Sequence, residues 1–519
     1  MFHFILKNPI CSVLTICLLF LGTAGIFFYS EFLKIQDIQY CTIVTIIIFL
    51  CTNTMYRLTA IVFALIVFLI YLLLPFPIFL LVGEVTLLVF AFWQNKTEKK
   101  ALSFLILALG FLFHLYYVQN STIDQRQHDL TGVLYYMQMI TKNGINWQNF
   151  DPWYMYYFFH QPFHFITAGY LYLLDYSLWH SAAMAQESLQ YLSLFYTTTT
   201  TIVAAKIFSV LDLPKKLYYS ALILFTFNPT LFLFSGYVAD DTPVLFWTIL
   251  FIYFLIRWTH SGRFIHLFGA ALCFGLGTLT KLSILVLVPT VCILFLYKIY
   301  SSAQKKQILT GINLFIITVV PIALLWIVRN HILFDMPFYN IPDTSPSGQN
   351  FKYLSFVERI TTFSSVFKPF IHSPFIVESN IWLALIKTEL FGEWNLSIGH
   401  SFILIPSLFL YLINILFKIS AGIGGLFLFY HFCKKSYSLQ YALFCFFIIT
   451  YYVIWIYAFK YAMDYPYACS TDYRLFSTLI LPEIIVLIAL ANKLKFANIL
   501  LIASMLYGIL TSFIYIAIA

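Results

Sequence analysis

The sequence predicts an all-α polytopic membrane protein with about 15 spanning helices and short interfacial helices in its long loops. Three observations predict it. Of 519 residues, 61% are hydrophobic and only 10% are charged. Apolar runs as long as a bilayer is thick recur along the chain, giving a mean hydropathy of +0.88. Lys and Arg gather in alternate short connections, as the positive-inside rule requires. A soluble domain would be about a quarter charged. The 57 Phe and 37 Tyr suit lipid-facing surface and interfacial belts.

The expected spans run over residues 9–29, 39–55, 58–74, 76–94 and 101–119. After a polar interval come 189–210, 217–235, 243–258, 264–279, 282–298 and 309–328; after a second come 403–432, 439–459, 474–491 and 497–518. Segment 403–432 is read as one long tilted helix or two short ones. The run 9–29 lacks a basic n-region and a small-x-small cleavage site, so an uncleaved helix is expected. The nine Cys are scattered without a C-x-x-C pair, which predicts neither a disulfide framework nor a zinc site.

With that alternation, Lys96, Lys99, Lys100, Lys215, Lys216, Arg257, Arg263, Lys298, Lys305, Lys306, Lys434, Lys435, Lys493 and Lys495 share the cytoplasmic side. The net charge of +8 is therefore topological, and no nucleic-acid partner is expected. The long intervals 120–188 and 329–402, the short loop 235–243 and the segment 460–474 fall on the opposite, outer face. Acids, histidines and aromatics from these separate loops read as one site at the membrane interface.

The densest chemistry is "STIDQRQHDL" at 121–130, which packs Asp124, Arg126, His128 and Asp129 together. Asp129 is the candidate general base, supported by His128, with Asp124 and Arg126 as substrate contacts. A capping Asp on a solvated loop is the plainer alternative. The aromatic run 147–174 carries His160, Gln161, Pro162 and His164, and is expected to lie flat at the interface with Pro162 opening a helix. In "SGYVADDTP" Asp240 and Asp241 occupy a tight turn, where Asp also serves backbone hydrogen bonding. Lys281 stands against the general charge bias, which makes it a candidate for an anionic headgroup or phosphate. Arg329, His331 and Arg474 are further outer cations, each equally readable as a snorkelling anchor. Asp240, Asp241, Glu389 and Glu393 are oxygen donors for a divalent ion, although none is predicted, and no cofactor is expected. Walker A, H-E-x-x-H and G-x-S-x-G motifs are missing, which argues against ATP-driven transport and the common hydrolases.

The ordered motifs "RQHDL", "HQPFHF", "NPTLFLFSGYVADDTPVLFW", "GLGTLTKLSILVLVP", "WIVRNHILFDMPFYNIP", "LFGEW" and "DYRLF" resemble bacterial glycosyltransferase family 39-type proteins of the GT-C fold. These are similar to protein O-mannosyltransferases and aminoarabinose lipid transferases. The resemblance implies a GT-C-like bundle over 98–519, with 1–97 as an accessory four-helix segment. It also implies transfer of a sugar, with inversion, from a polyprenyl-phosphate donor to a glycan, lipid or protein acceptor. Asp129 matches the family's base, and Lys281, Arg329 and Arg474 match positions that hold the donor phosphate. The family's Q-P-P motif has Phe163 as its third residue here. His160, Gln161, Asp240, Asp241 and Glu393 complete the expected substrate contacts. The implied setting is a bacterial plasma membrane, or the endoplasmic reticulum of a eukaryote, with the site on the extracytoplasmic or lumenal face. A polymerase or ligase using a pyrophosphate-linked glycan is the alternative within enzymes, and a lipid or polysaccharide transporter is the alternative outside them.

Overall fold

A backbone in lipid must satisfy its own hydrogen bonds, and the apolar runs of this chain do so as helices. The computed structural model describes residues 99–144, 147–338, 351–371, 378–398, 400–433 and 439–519, and no β-strand occurs among them. The expected spans before residue 97, and the accessory segment they form, lie outside the described residues. The chain divides into two compact units, Met1–Leu115 and Tyr116–Ala519. Helix α1 (Lys99–Asn120) runs across that division, and the second unit carries the remaining elements.

The first polar interval forms α2 (Leu130–Asn143), α3 (Phe163–Trp179) and α4 (Ala182–Glu187). Pro162 stands at the N-cap of α3, as its fixed φ favours. Phe165 and Ala168 of α3 are buried, whereas Tyr170, Leu173, Leu174 and Leu178 are exposed, the two-faced pattern of a helix at an apolar boundary. The bundle continues with α5 (Leu189–Val210), α6 (Lys215–Thr226) and α7 (Pro229–Gly236). Next come α8 (Asp241–Ser261), α9 (Phe264–Thr280), α10 (Val288–Ser301) and α11 (Lys305–Phe334). It closes with α12 (Phe356–Thr361), α13 (Ile381–Phe391), α14 (Leu404–Cys433), α15 (Leu439–Asp464), α16 (Ile480–Leu494) and α17 (Ala497–Ile518).

Eight helices among the described residues are long and apolar enough to cross a membrane, or nine if one bent pair counts as a span. Three expected spans differ for physical reasons. Segment 217–235 is broken by Pro229, where α6 and α7 meet at a bend of 40° with the Asn228 side chain capping Thr230 N–H at 3.0 Å. Segment 264–279 folds as the 17-residue α9, and 189–210 carries the run Thr197–Thr201, whose hydroxyls dilute its hydropathy. The segment 403–432 is one helix, and 474–491 becomes regular α-helix only from Ile480, after a 3₁₀ stretch Tyr473–Leu479.

Two features of this bundle position the site. Helices α8 and α9 form a hairpin that reverses at Gly262, whose φ of 66° suits a residue without Cβ. The hairpin returns Lys281, just past α9, to the end of the bundle where Asp240 begins α8. Meanwhile the C-terminal end of α13 is tied to its surroundings: Glu389 O accepts from Thr230 Oγ1 at 2.8 Å, Leu390 O from Tyr515 Oη at 2.7 Å, and Thr388 Oγ1 from Tyr473 N–H at 2.9 Å. Behind it Lys418 of α14 contacts Glu389 at 2.8 Å and also pairs with Glu483 of α16, and Asn414 donates to Glu389 at 2.8 Å. An ammonium shared by two buried carboxylates is costly to break, so it joins α13, α14 and α16 in one arrangement.

Candidate active site

Asp129 is the N-cap of α2 and takes a left-handed conformation, φ 56° and ψ 24°. Asp tolerates that region better than most residues, and strained backbone of this kind gathers at functional sites. The turn is held by Gln127, which donates to Gly236 O at 2.5 Å and accepts from Val238 N–H at 3.1 Å, tying it to the loop before α8. From the other side His164 of α3 contacts Val238 O at 2.7 Å. Loop 121–129, α3 and the start of α8 therefore converge.

Their charged side chains form one network. Arg474, two residues into the chain after Asp472, reaches three carboxylates: Asp472 Oδ2 at 3.0 Å from Nε, Asp241 Oδ2 at 3.5 Å and Asp129 Oδ2 at 3.5 Å. Lys281 donates to Asp240 at 2.9 Å and Asp241 at 2.5 Å. His160 Nδ1 lies 3.2 Å from the second Asp240 oxygen. His128 stands between Asp472 and one further acid, with Nδ1 3.5 Å from Glu393 and Nε2 3.4 Å from Asp472. Trp394 packs on the His128 ring at 4.7 Å and Tyr237 meets it edge-on at 5.6 Å, which fixes its plane.

Environment separates the roles of these acids. The Asp129 side chain is 59% exposed, whereas Asp240, Asp241 and Asp472 are buried. Burial raises the Asp240 carboxyl, but Lys281 and His160 outweigh it and hold the group below the usual range. Burial alone would lower the Lys281 ammonium, yet the two aspartates raise it, so the cation persists. Burial, followed by the Arg474 and Lys281 charges, lowers His128 to about 2, leaving a neutral imidazole. Burial also raises Glu393, against the pull of Arg474.

Tyr157 shares a side-chain hydrogen bond with Asp129, and burial together with that carboxylate raises its phenol. The close fit explains Gly132: a Cβ there would lie 1.9 Å from Tyr157 Cε2. Gly132→Ala favours helix by about 0.5–1 kcal/mol while forcing Tyr157 away. A folded variant with turnover lowered by about 10²-fold is expected. Wild-type turnover in a thermal-melt-matched sample would show that Tyr157 does not orient Asp129.

Of the residues expected from sequence, Asp129, His128, His160, Asp240, Asp241, Lys281, Glu393 and Arg474 come together. Gln161 is buried beside His160 and lines the adjoining cleft. Three others do not join. Asp124 is exposed and accepts from Thr122 at 2.5 Å within its own turn. Arg126 binds Tyr117 Oη at 3.1 Å, Ser121 Oγ at 3.2 Å and Ile518 O at 2.9 Å, tying the loop to the end of α17. Arg329 donates to Asn330 at 2.6 Å and lies over the rings of Trp326 and Phe334 at 4.3 and 4.6 Å. The oxygen set Asp240, Asp241, Glu389 and Glu393 also fails to converge, because Glu389 points to Lys418. Asp472 and Tyr157 were not anticipated. The signal for Asp472 was its place two residues before Arg474; Tyr157 had none within its aromatic run.

Gln161 and Leu282, the chain neighbours of His160 and Lys281, line a cleft of about 520 Å³. Leu282, Leu285 and Val286, directly after Lys281, form one wall; Ile327 of α11 and Val453 and Ile456 of α15 form others, and Lys460 stands at its edge. Ile456 is 67% exposed, so the cleft opens sideways through apolar helix surface.

No family model and no curated protein matches the chain. Among solved structures it is similar to ArnT from Cupriavidus metallidurans in the apo state, with a TM-score of 0.28 and 13% identity over 69% of this chain and 67% of that one. It is also similar to ArnT from the same organism bound to undecaprenyl phosphate, with a TM-score of 0.33 and 12% identity over 79% of this chain and 76% of that one.

Proposed function

We propose that the chain transfers a sugar from a polyprenyl-phosphate donor to an acceptor hydroxyl, with inversion, on the extracytoplasmic side of a membrane. The observation that carries this reading is a network of an exposed carboxylate and two fixed cations whose chain neighbours Gln161 and Leu282, next to His160 and Lys281, line an apolar cleft. The donor's chain occupies the cleft, and its phosphate meets Lys281 and Arg474. The acceptor enters from water, where Asp129 is exposed. The acceptor oxygen attacks the anomeric carbon, its proton passes to Asp129, and the bond from that carbon to the phosphate oxygen breaks with its electron pair on the phosphate. The cations stabilise the charge that builds there, so no separate acid is needed. The bias of Lys and Arg toward the opposite helix ends supports the assignment of the face.

A transporter would place its charged site at mid-depth. Lys418, Glu389 and Glu483 are buried among helices, but none of them lines the cleft. Phosphate recognition is tested by comparing polyprenyl phosphate with the matching polyprenol as stabilisers of the purified chain against thermal unfolding. The phosphate is expected to raise the melting temperature more. Equal stabilisation would remove the phosphate from recognition.

A further inference from the structure

Arg359 of α12 is 2% exposed, although Phe356 and Val357 of the same short helix are exposed. Its guanidinium donates from Nη1 to Ala462 O of α15 at 2.5 Å and lies over the Phe351 ring at 5.0 Å. The other edge, Nε and Nη2, makes no hydrogen bond, and no carboxylate pairs with the group among the described residues. A buried cation is normally paired, and a buried N–H normally has an acceptor. Nε–H and Nη2–H point the same way, the two-pronged geometry that fits two oxygens of one phosphate or carboxylate.

The surroundings choose between these anions. Phe356 meets Phe459 of α15 edge-on at 6.4 Å, and Trp382 of α13 lies 4.4 Å from Phe459 and 5.0 Å from Trp455. Aromatic rings gathered at the ends of spanning helices mark the level of lipid headgroups. Tyr353, Val357, Phe363 and Phe367 add exposed apolar surface in the same segment. Residues 351–368 carry Lys352, Arg359 and Lys368 against one acid, Glu358, whose carboxylate is engaged by Ser355 in a capping box.

We propose that this segment binds an anionic phospholipid, with the headgroup phosphate on the Nε–Nη2 edge of Arg359 and the acyl chains against Phe356 and Trp382. Helix α12 is six residues long and exposed along its other side, so a small outward shift admits the phosphate. The place is separate from the cleft: Trp455, Phe459 and Ala462 share one face of α15, while Val453, Ile456 and Lys460 line the cleft from another.

The test follows thermal unfolding of the full chain in dodecyl maltoside, which carries neither charge nor phosphate. Dioleoyl phosphatidylglycerol, dioleoylglycerol or glycerol 1-phosphate is added. Phosphatidylglycerol is expected to raise the melting temperature, and the other two to leave it unchanged. Arg359→Met removes a cation without orphaning a carboxylate, and it should lose this gain. Arg359→Lys keeps the charge but not the fork, and its apparent affinity for the lipid should fall at least about tenfold. The Lys variant decides the matter where the Met variant fails to fold. Unchanged affinity in either variant, or an equal gain from dioleoylglycerol or from glycerol 1-phosphate, overturns the site. No sugar donor is present, so this inference and the transferase reading fail independently.

Discussion

Asp129→Asn is expected to lower turnover by about 10²–10⁴-fold, the usual contribution of a positioned general base, while leaving donor KM near its wild-type value. Access sets Asp129 apart from the other acids. Asp240 and Asp241 are buried against Lys281, and Asp472 is buried against Arg474, so each is committed to a neighbouring cation. The Asp129 side chain is 59% exposed and oriented by Tyr157 and Arg474. Asn keeps the shape and accepts the left-handed backbone at this position, so the loop should survive the exchange. Steady-state kinetics of variant and wild type provide the check. Unchanged turnover would transfer the role of base to Glu393, the other acid of the network with substantial exposure.

Lys281→Met should have the second largest effect, and on two quantities at once. Removing the ammonium leaves Asp240 buried beside the His160 ring without its Lys281 counter-ion, at a cost of about 3–5 kcal/mol. Asp241 retains Arg474 at 3.5 Å and suffers less. Turnover should fall by about 10²–10³-fold through lost stabilisation of the departing phosphate. The double variant Lys281→Met/Asp240→Asn separates the two consequences, because it removes the orphaned charge along with the cation. Recovery of thermal stability without recovery of turnover is the expected result. Recovery of both would make Lys281 a structural counter-ion only.

The parts of this site that were legible in the sequence are those fixed by helix alternation. Asp240 and Lys281 bracket the α8–α9 hairpin, and two apolar runs joined by a short turn must return to the same end of the bundle. The order of loops likewise placed Asp129 and Arg474 at that end. Side-chain direction was not legible. Arg126 lies three residues from Asp129 yet turns to Tyr117 and Ile518, and Arg329 is enclosed by aromatic rings. Their charge was visible, but the packing that aims it involves residues far away in the chain. Glu389 shows the same limit, since it lies one turn before Glu393 and faces Lys418 instead. Helix ends were displaced where hydropathy alone drew them: Pro229 splits one apolar run, and the 3₁₀ stretch Tyr473–Leu479 delays the start of α16 while presenting Arg474 to the site.

The central claim is that a polyprenyl-phosphate sugar is consumed at this cluster. Its most direct test incubates the purified chain in nanodiscs with a panel of polyprenyl-phosphate sugars and measures free polyprenyl phosphate by mass spectrometry. Release from at least one donor, lost in Asp129→Asn, is the predicted result. Consumption of pyrophosphate-linked glycans alone, with every monophosphate donor left intact, would contradict it.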